Sequence, residues 1–248
     1  MSADETTVLP GSFAPAGRTV PTGNGWTWIS AAWSIFRAAV GTWIGMALVL
    51  ALIFIVLAVI PVLGPIASFV LGPVFTAGLV MASRTAAQGG EMQFSQLFAG
   101  FKHRFGTLAA VGGLYLAGTI VIMLVVSVIT GVGLFTAMSG GSSPEALAGM
   151  GITLAIALLL MVALMLPLVM ALWFAPPLVV FHELGAVDSM KASFAGCLKN
   201  VLPFLFYGLV LLIAAVIASI PFMLGWLILG PVMAASIYTA YQDIYFSE

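Results

Sequence analysis

Four long stretches of this chain carry no Lys, Arg, Asp or Glu. Residues 38–83 and 146–181 hold no ionisable side chain, residues 106–144 hold only Tyr115, and residues 200–242 hold only tyrosines. A hydrocarbon core about 30 Å thick is crossed by about 20 apolar residues in a helix. Stretches of this length read as helical hairpins, and the chain reads as an all-α, multi-pass membrane bundle. With 62% hydrophobic and 6% charged residues, it lacks the charge that a water-soluble domain of this size carries.

Proline and glycine divide the stretches into spans. The segment IPVLGP at residues 60–65 places two prolines and a glycine between apolar runs. Proline lacks a backbone donor and disfavours helix in its predecessor, so a tight turn is expected there. This predicts a first span at residues 41–60 and a second at 66–84. A third is expected at 107–130, followed by a Gly- and Ser-rich loop, and a fourth at 152–180. The break IPFMLGW separates a fifth span at 203–220 from a sixth at 225–241. Pro203 suits the first turn of a helix, where a missing donor costs nothing.

The basic residues then orient the bundle. Arg18 and Arg37 precede the first span; Arg84, Lys102, His103 and Arg104 lie between the second and third; His182, Lys191 and Lys199 lie between the fourth and fifth. The three opposite connections hold no Lys or Arg. Positive charge is retained on the cytoplasmic side, so both termini are expected in the cytoplasm. Residues 1–24 are acidic, then rich in Pro and Gly, without the basic and apolar regions of a signal peptide. They are expected to be a disordered cytoplasmic tail, with residues 25–248 forming the membrane domain.

A short amphipathic segment precedes each hairpin. In GWTWISAAWSIFRAAVG, Trp26, Ile29, Trp33 and Phe36 share a face. In MQFSQLFAGFKHRFGT the face is Phe94, Leu97, Phe98, Phe101 and Phe105; in GAVDSMKASFAGCLKNVLP it is Val187, Met190, Phe194, Leu198 and Val201. Such segments either lie in the membrane interface, with cations near phosphates, or pack as buried connectors. Short strings also recur: FAG at 98–100 and 194–196, LGPV at 71–74 and 229–232, IP at 60–61 and 220–221. The expected plan is an interface helix plus a hairpin, three times, at about residues 25–84, 92–181 and 185–245, all in the same orientation rather than inverted.

The run from GWTWISAAWSIFRAAVGTWIG through IPVLGPIASFVLGPVFTAGLVMASR to QLFAGF resembles uncharacterised proteobacterial six-helix inner-membrane proteins. The stretch WFAPPLVVFHELGAVDSMKASFAGCLKNVLPFL is similar to the broader YciC-type group and to the membrane domain of some glycerophosphodiester phosphodiesterases. In that group a carboxylate and a basic or polar residue often follow the PxLVV run; here the positions are His182 and Glu183. The resemblance covers about residues 25–245. It implies a bacterial inner-membrane location and supplies no reaction.

Chemistry-bearing groups are sparse. His182 and Glu183 could relay a proton or bind a metal, but neighbours on a helix point about 100° apart, and the alternative is an interfacial pair capping the fourth span. His103, between Lys102 and Arg104, fits a basic cluster facing headgroups. Two histidines and one cysteine, Cys197, offer no metal-ligand spacing. No P-loop or GxSxG motif is present. No carboxylate is expected deep in a span, where ion-coupled carriers keep theirs. Pro73 and Pro231, within the LGPV strings, are expected either to break their helices around a substrate site or to kink them for packing. Ala109, Gly113 and Ala117 form a small-residue ridge on the third span.

These readings exclude no membrane role outright, but they rank them. The expectation is a non-enzymatic inner-membrane protein that binds lipid or envelope partner proteins, without cofactor, metal or nucleic acid, and with a homo-oligomer open. Lipid headgroups, anionic ones included, are expected at Arg37, Lys102, His103, Arg104, Lys191 and Lys199. The alternative is a carrier or flippase for a lipid-like or apolar substrate.

Overall fold

The computed structural model describes residues 11–139 and 143–246, the side chains of 136–138 apart. Among them are ten α-helices and no strand beyond a single bridge between Phe13 and Phe246. The order is α1 (Asn24–Ala38), α2 (Val40–Val59), α3 (Leu63–Ala87), a 3-10 turn (Phe94–Phe98), α4 (Ala99–Lys102), α5 (Phe105–Ser139), α6 (Pro144–Trp173), α7 (Ala175–His182), α8 (Ala186–Lys199), α9 (Val201–Ser219) and α10 (Trp226–Tyr245). Among the described residues, five segments are long and apolar enough to cross a membrane: Val40–Val59, Leu63–Ala87, Phe105–Phe135, Pro144–His182 and Val201–Ser219. The helix α10, expected as a sixth span, has the length but is more polar.

Both IP turns form as read. In the first, Val62 takes φ 64° and Gly64 sits so close to α2 that any Cβ would collide with the Leu57 carbonyl. In the second, Phe222 and Met223 take φ 50° and 64°, and a Cβ on Gly225 would stand 2.5 Å from Ala218 Cα. In each, a glycine backs onto the residue seven positions before it, so the two turns are built alike.

The loop expected at residues 131–151 is mostly helix. GVGLFTAMS continues α5, and PEALAGMG opens α6, with Ser143 as N-cap accepting from Ala146 N at 3.2 Å and Pro144 in the first turn. Helix signals at the cap outweigh the scattered glycines. Residues 140–142 lie outside the described part. The second amphipathic segment is also not one helix; it is a 3-10 turn followed by a single helical turn. The small-residue ridge is not the buried face: among the described side chains of α5, Leu108, Val111 and Gly112 are the buried ones, with Gly112 against the Phe69 carbonyl of α3.

The helix α10 lies at the centre and bonds to four others through its own side chains. Ser236 Oγ pairs with Tyr207 Oη of α9 at 2.6 Å, and Thr239 Oγ1 donates to the Trp28 carbonyl of α1 at 2.9 Å. Tyr241 Oη meets His182 Nε2 of α7 at 2.5 Å, and Tyr245 Oη donates to the Ala192 carbonyl of α8 at 2.8 Å. Hydroxyls serve here because lipid is as apolar as leucine, so helices gain little from burying aliphatic surface against each other.

Candidate functional site

Apart from Glu145 at the start of α6, the charged residues among those described gather at one end of the bundle, where Asp243 ties together Arg18, Asn24 and Trp28. Its Oδ2 accepts from Asn24 Nδ2 at 2.7 Å and Trp28 Nε1 at 2.8 Å; its Oδ1 accepts from Arg18 Nη2 at 3.1 Å. Arg18 Nε donates to the Asp243 carbonyl at 2.7 Å. The backbone joins in: Ala14 N donates to Tyr245 O at 2.9 Å and Arg18 N to Ile244 O at 2.8 Å. Asn200 accepts from Val20 N and donates to Arg18 O, each at 2.8 Å, while Lys199 Nζ donates to Gly17 O at 2.9 Å. Residues 11–23 are therefore not a free tail, as the sequence suggested, but a strap clamped to the C-terminal end of α10 and to α8. Composition hides this, because a short Pro- and Gly-rich strap is held by its backbone. Residues 1–10 lie outside the described part.

Above the strap sits an aromatic niche. Phe13 stacks on the His182 ring, centroids 3.5 Å apart, and Arg84 lies 5.1 Å from the centroid of Phe181. His182 bonds Tyr241, whereas Glu183 is exposed on a left-handed cap with φ 55°. The two are not one relay; His182 holds α7 against α10. Arg104, also left-handed at φ 60°, donates a guanidinium hydrogen bond to the Glu183 carbonyl and so ties α5 to the end of α7.

Sequence reasoning missed Ser193. Pro176 and Pro177 interrupt the backbone ladder between α6 and α7. Ser193 of α8 inserts into the turn just before them, accepting from Phe174 N at 2.8 Å and donating to Met170 O at 2.6 Å. Cys197, one turn on, is buried, and burial pushes its thiol up to about 12, out of reach of a neutral-pH nucleophile. The sequence signal was the APP triplet, which marks where the regular ladder of the helix is interrupted.

Of the six expected headgroup contacts, Lys199 and Arg104 bond within the protein. Arg37, Lys102, His103 and Lys191 are exposed, and their side chains bond to no other described residue. Exposed aromatics share the elements of the first three: Trp26 and Trp33 on α1 with Arg37, and Phe94, Phe101 and Phe105 around α4 with Lys102 and His103. In α1 the opposite side, Trp28, Ala32 and Ile35, packs inward. In α8 the small face of Ser189, Ser193, Gly196 and Cys197 packs inward, leaving Val187 and Leu198 exposed. The amphipathic segments thus use one side for the bundle, and the expected apolar faces are split: Phe36 and Leu97 pack inward, while Trp26, Trp33, Phe94, Phe101, Phe105, Val187 and Leu198 stay exposed.

Pro73 and Pro231 do not break their helices; α3 and α10 run continuously through them. Each lines a lateral apolar groove. The Pro73 groove, about 340 Å³, also includes Ser68, Thr76, Tyr115 and Trp173. The Pro231 groove, about 350 Å³, lies between α2 and α10. In both strings the proline and valine are buried, and the glycine has no atom within 4 Å of where a Cβ would stand.

An apolar multi-helix chain with its polar groups at one end has a match among known families. Residues 28–244 match a family described as a domain of unknown function, DUF7847. The chain belongs to that family. It is also 27% identical, over 75% of its own length and 71% of the relative's, to a probable inner membrane protein of Burkholderia thailandensis. No solved structure gives a significant match. The family, the relative and the five apolar helices together make this DUF7847 member a multi-pass helical membrane protein.

Proposed function

We propose that this DUF7847 protein is a non-enzymatic inner-membrane protein that binds anionic lipid headgroups at its polar end, with six spans and both termini cytoplasmic. The observation that carries the reading is the set of exposed basic residues Arg37, Lys102, His103 and Lys191, whose side chains bond to no other described residue, the first three beside outward aromatics. Each cation near an anionic surface contributes about 1 kcal/mol, and aromatic rings hold it at headgroup depth. The sixth span is supported by the strap: residues 14–18 bond to residues 243–245, so both ends of the domain lie on one side. Five crossings would separate them, and α10 supplies the return. The wider resemblance to YciC-type proteins and phosphodiesterase membrane domains stands on residues 173–205 alone.

A carrier or flippase role is the second reading, favoured by the paired grooves at Pro73 and Pro231. The test of the first is Arg37→Gln, Lys102→Gln and Lys191→Gln together, which leaves Arg18, Arg84, Arg104 and Lys199 to set orientation. The triple variant is expected to insert normally and to retain several-fold less phosphatidylglycerol on purification. Undiminished retention removes the headgroup role. Orientation is checked with a cysteine at Phe222, which is 96% exposed in the α9–α10 turn, after replacing Cys197. It should react with an impermeant maleimide from outside the cytoplasmic membrane; reaction only after lysis reverses the topology.

A further inference from the structure

The α2–α10 groove combines an apolar wall with a polar group that the protein leaves unsatisfied. It is lined by Trp43, Leu50, Phe54, Trp226, Gly230 and Pro231 among others. Trp43 is only 1% exposed, and its Nε1 is buried without a hydrogen-bond partner. Trp28 and Trp226, in contrast, donate to Asp243 and Ser219. A buried N–H left unpaired is rare in folded proteins and calls for an acceptor from elsewhere.

The position of Trp43 says which acceptor. It lies in the first turn of α2, just after the exposed Arg37 that closes α1. That is the headgroup–hydrocarbon boundary, the depth at which indoles concentrate. From Trp43 the groove follows α2 to Phe54, about 16 Å at ~1.5 Å per residue, or half of a ~30 Å core. Water is scarce along such a wall, and a neighbouring helix keeps its carbonyls in its own ladder. A phospholipid ester has free carbonyl lone pairs at this depth and an acyl chain running inward from them.

We propose that the groove seats one acyl chain of a bilayer phospholipid, whose ester carbonyl accepts the hydrogen bond from Trp43 Nε1. This rests on the lipid-binding reading but makes no use of headgroup charge. The groove wall is hollow at Gly230, where a Cβ meets nothing within 4 Å, so Gly230→Leu projects its side chain from an open position of the wall into the seat.

The experiment is native mass spectrometry of the full-length protein exchanged with zwitterionic phosphatidylcholine, diester against diether of the same chains. Wild type is expected to retain the diester about fivefold better, the factor that one net hydrogen bond supplies. Trp43→Phe keeps the ring and should lose that preference; Gly230→Leu should retain less of both lipids. Equal retention by wild type overturns the proposal, as does an ester preference that survives in Trp43→Phe. So does unchanged retention in Gly230→Leu, including the case where its oligomeric state shifts and a second copy is the occupant. If Trp43→Phe does not fold, the other two comparisons still decide. Because phosphatidylcholine carries no net charge, failure here leaves the triple-glutamine experiment untouched, and the reverse holds too.

Discussion

The helices α10 and α5 are each long enough to cross a bilayer, yet they follow opposite rules. In α10, eleven of 20 residues are buried, among them three tyrosines, Ser236 and Thr239. In α5, the most apolar window within Phe105–Phe135 has none of its residues buried. The more polar helix is the centre, and the more apolar one faces outward. In water the order would be reversed. In lipid, aliphatic residues are at ease on the outside, while hydroxyls and small residues make the contacts between helices. Hydropathy along this chain therefore reports exposure to lipid, and is weakest where the bundle is most tightly held together.

The sharpest way to break this comparison is to remove the carboxylate at the end of α10. Asp243→Ala strands Trp28 Nε1, which is buried, and Asn24 Nδ2, and frees Arg18 from its ion pair. The Arg18 side chain is 38% exposed, so its pair contributes little. The stranded donors dominate, at about 2–4 kcal/mol together. The expected result is a clearly lowered unfolding midpoint in detergent and rapid tryptic cleavage after Arg18, which the clamped strap otherwise protects. A midpoint within a degree of wild type, with Arg18 still protected, would show that the polar end does not hold the bundle.

This contrast explains what was legible in the sequence. The apolar helices could be read because lipid exposure demands an unbroken apolar run, and the two IP turns because proline and a close-packed glycine leave few alternatives. The strap could not be read: Gly17 O and Arg18 O take part as backbone carbonyls, and Asp243 lies 225 residues from Arg18. The headgroup cations were read by type alone. Which of them are engaged internally, Lys199 and Arg104, depends on the distant Gly17 and Glu183 carbonyls. The Pro73 and Pro231 positions were found by their repeated string, but their consequence, a groove beside an intact helix, needed the neighbouring helices.

The smallest expected effect separates two glycines on the two sides of the comparison. A Cβ on Gly100, in the connection before α5, would run into the Val74 carbonyl of α3; one on Gly131, far along α5, meets nothing within 4 Å. Backbone cannot yield as a side-chain tip does, so Gly100→Ala is expected to destabilise by about 1–3 kcal/mol. Gly131→Ala touches only lipid, and alanine is the better helix former by about 0.5–1 kcal/mol. The same substitution should thus lower the unfolding midpoint at one site and hold or slightly raise it at the other. A comparable loss at Gly131 would mean that the outer face of α5 packs against protein, and α5 would then belong with α10 rather than opposite it.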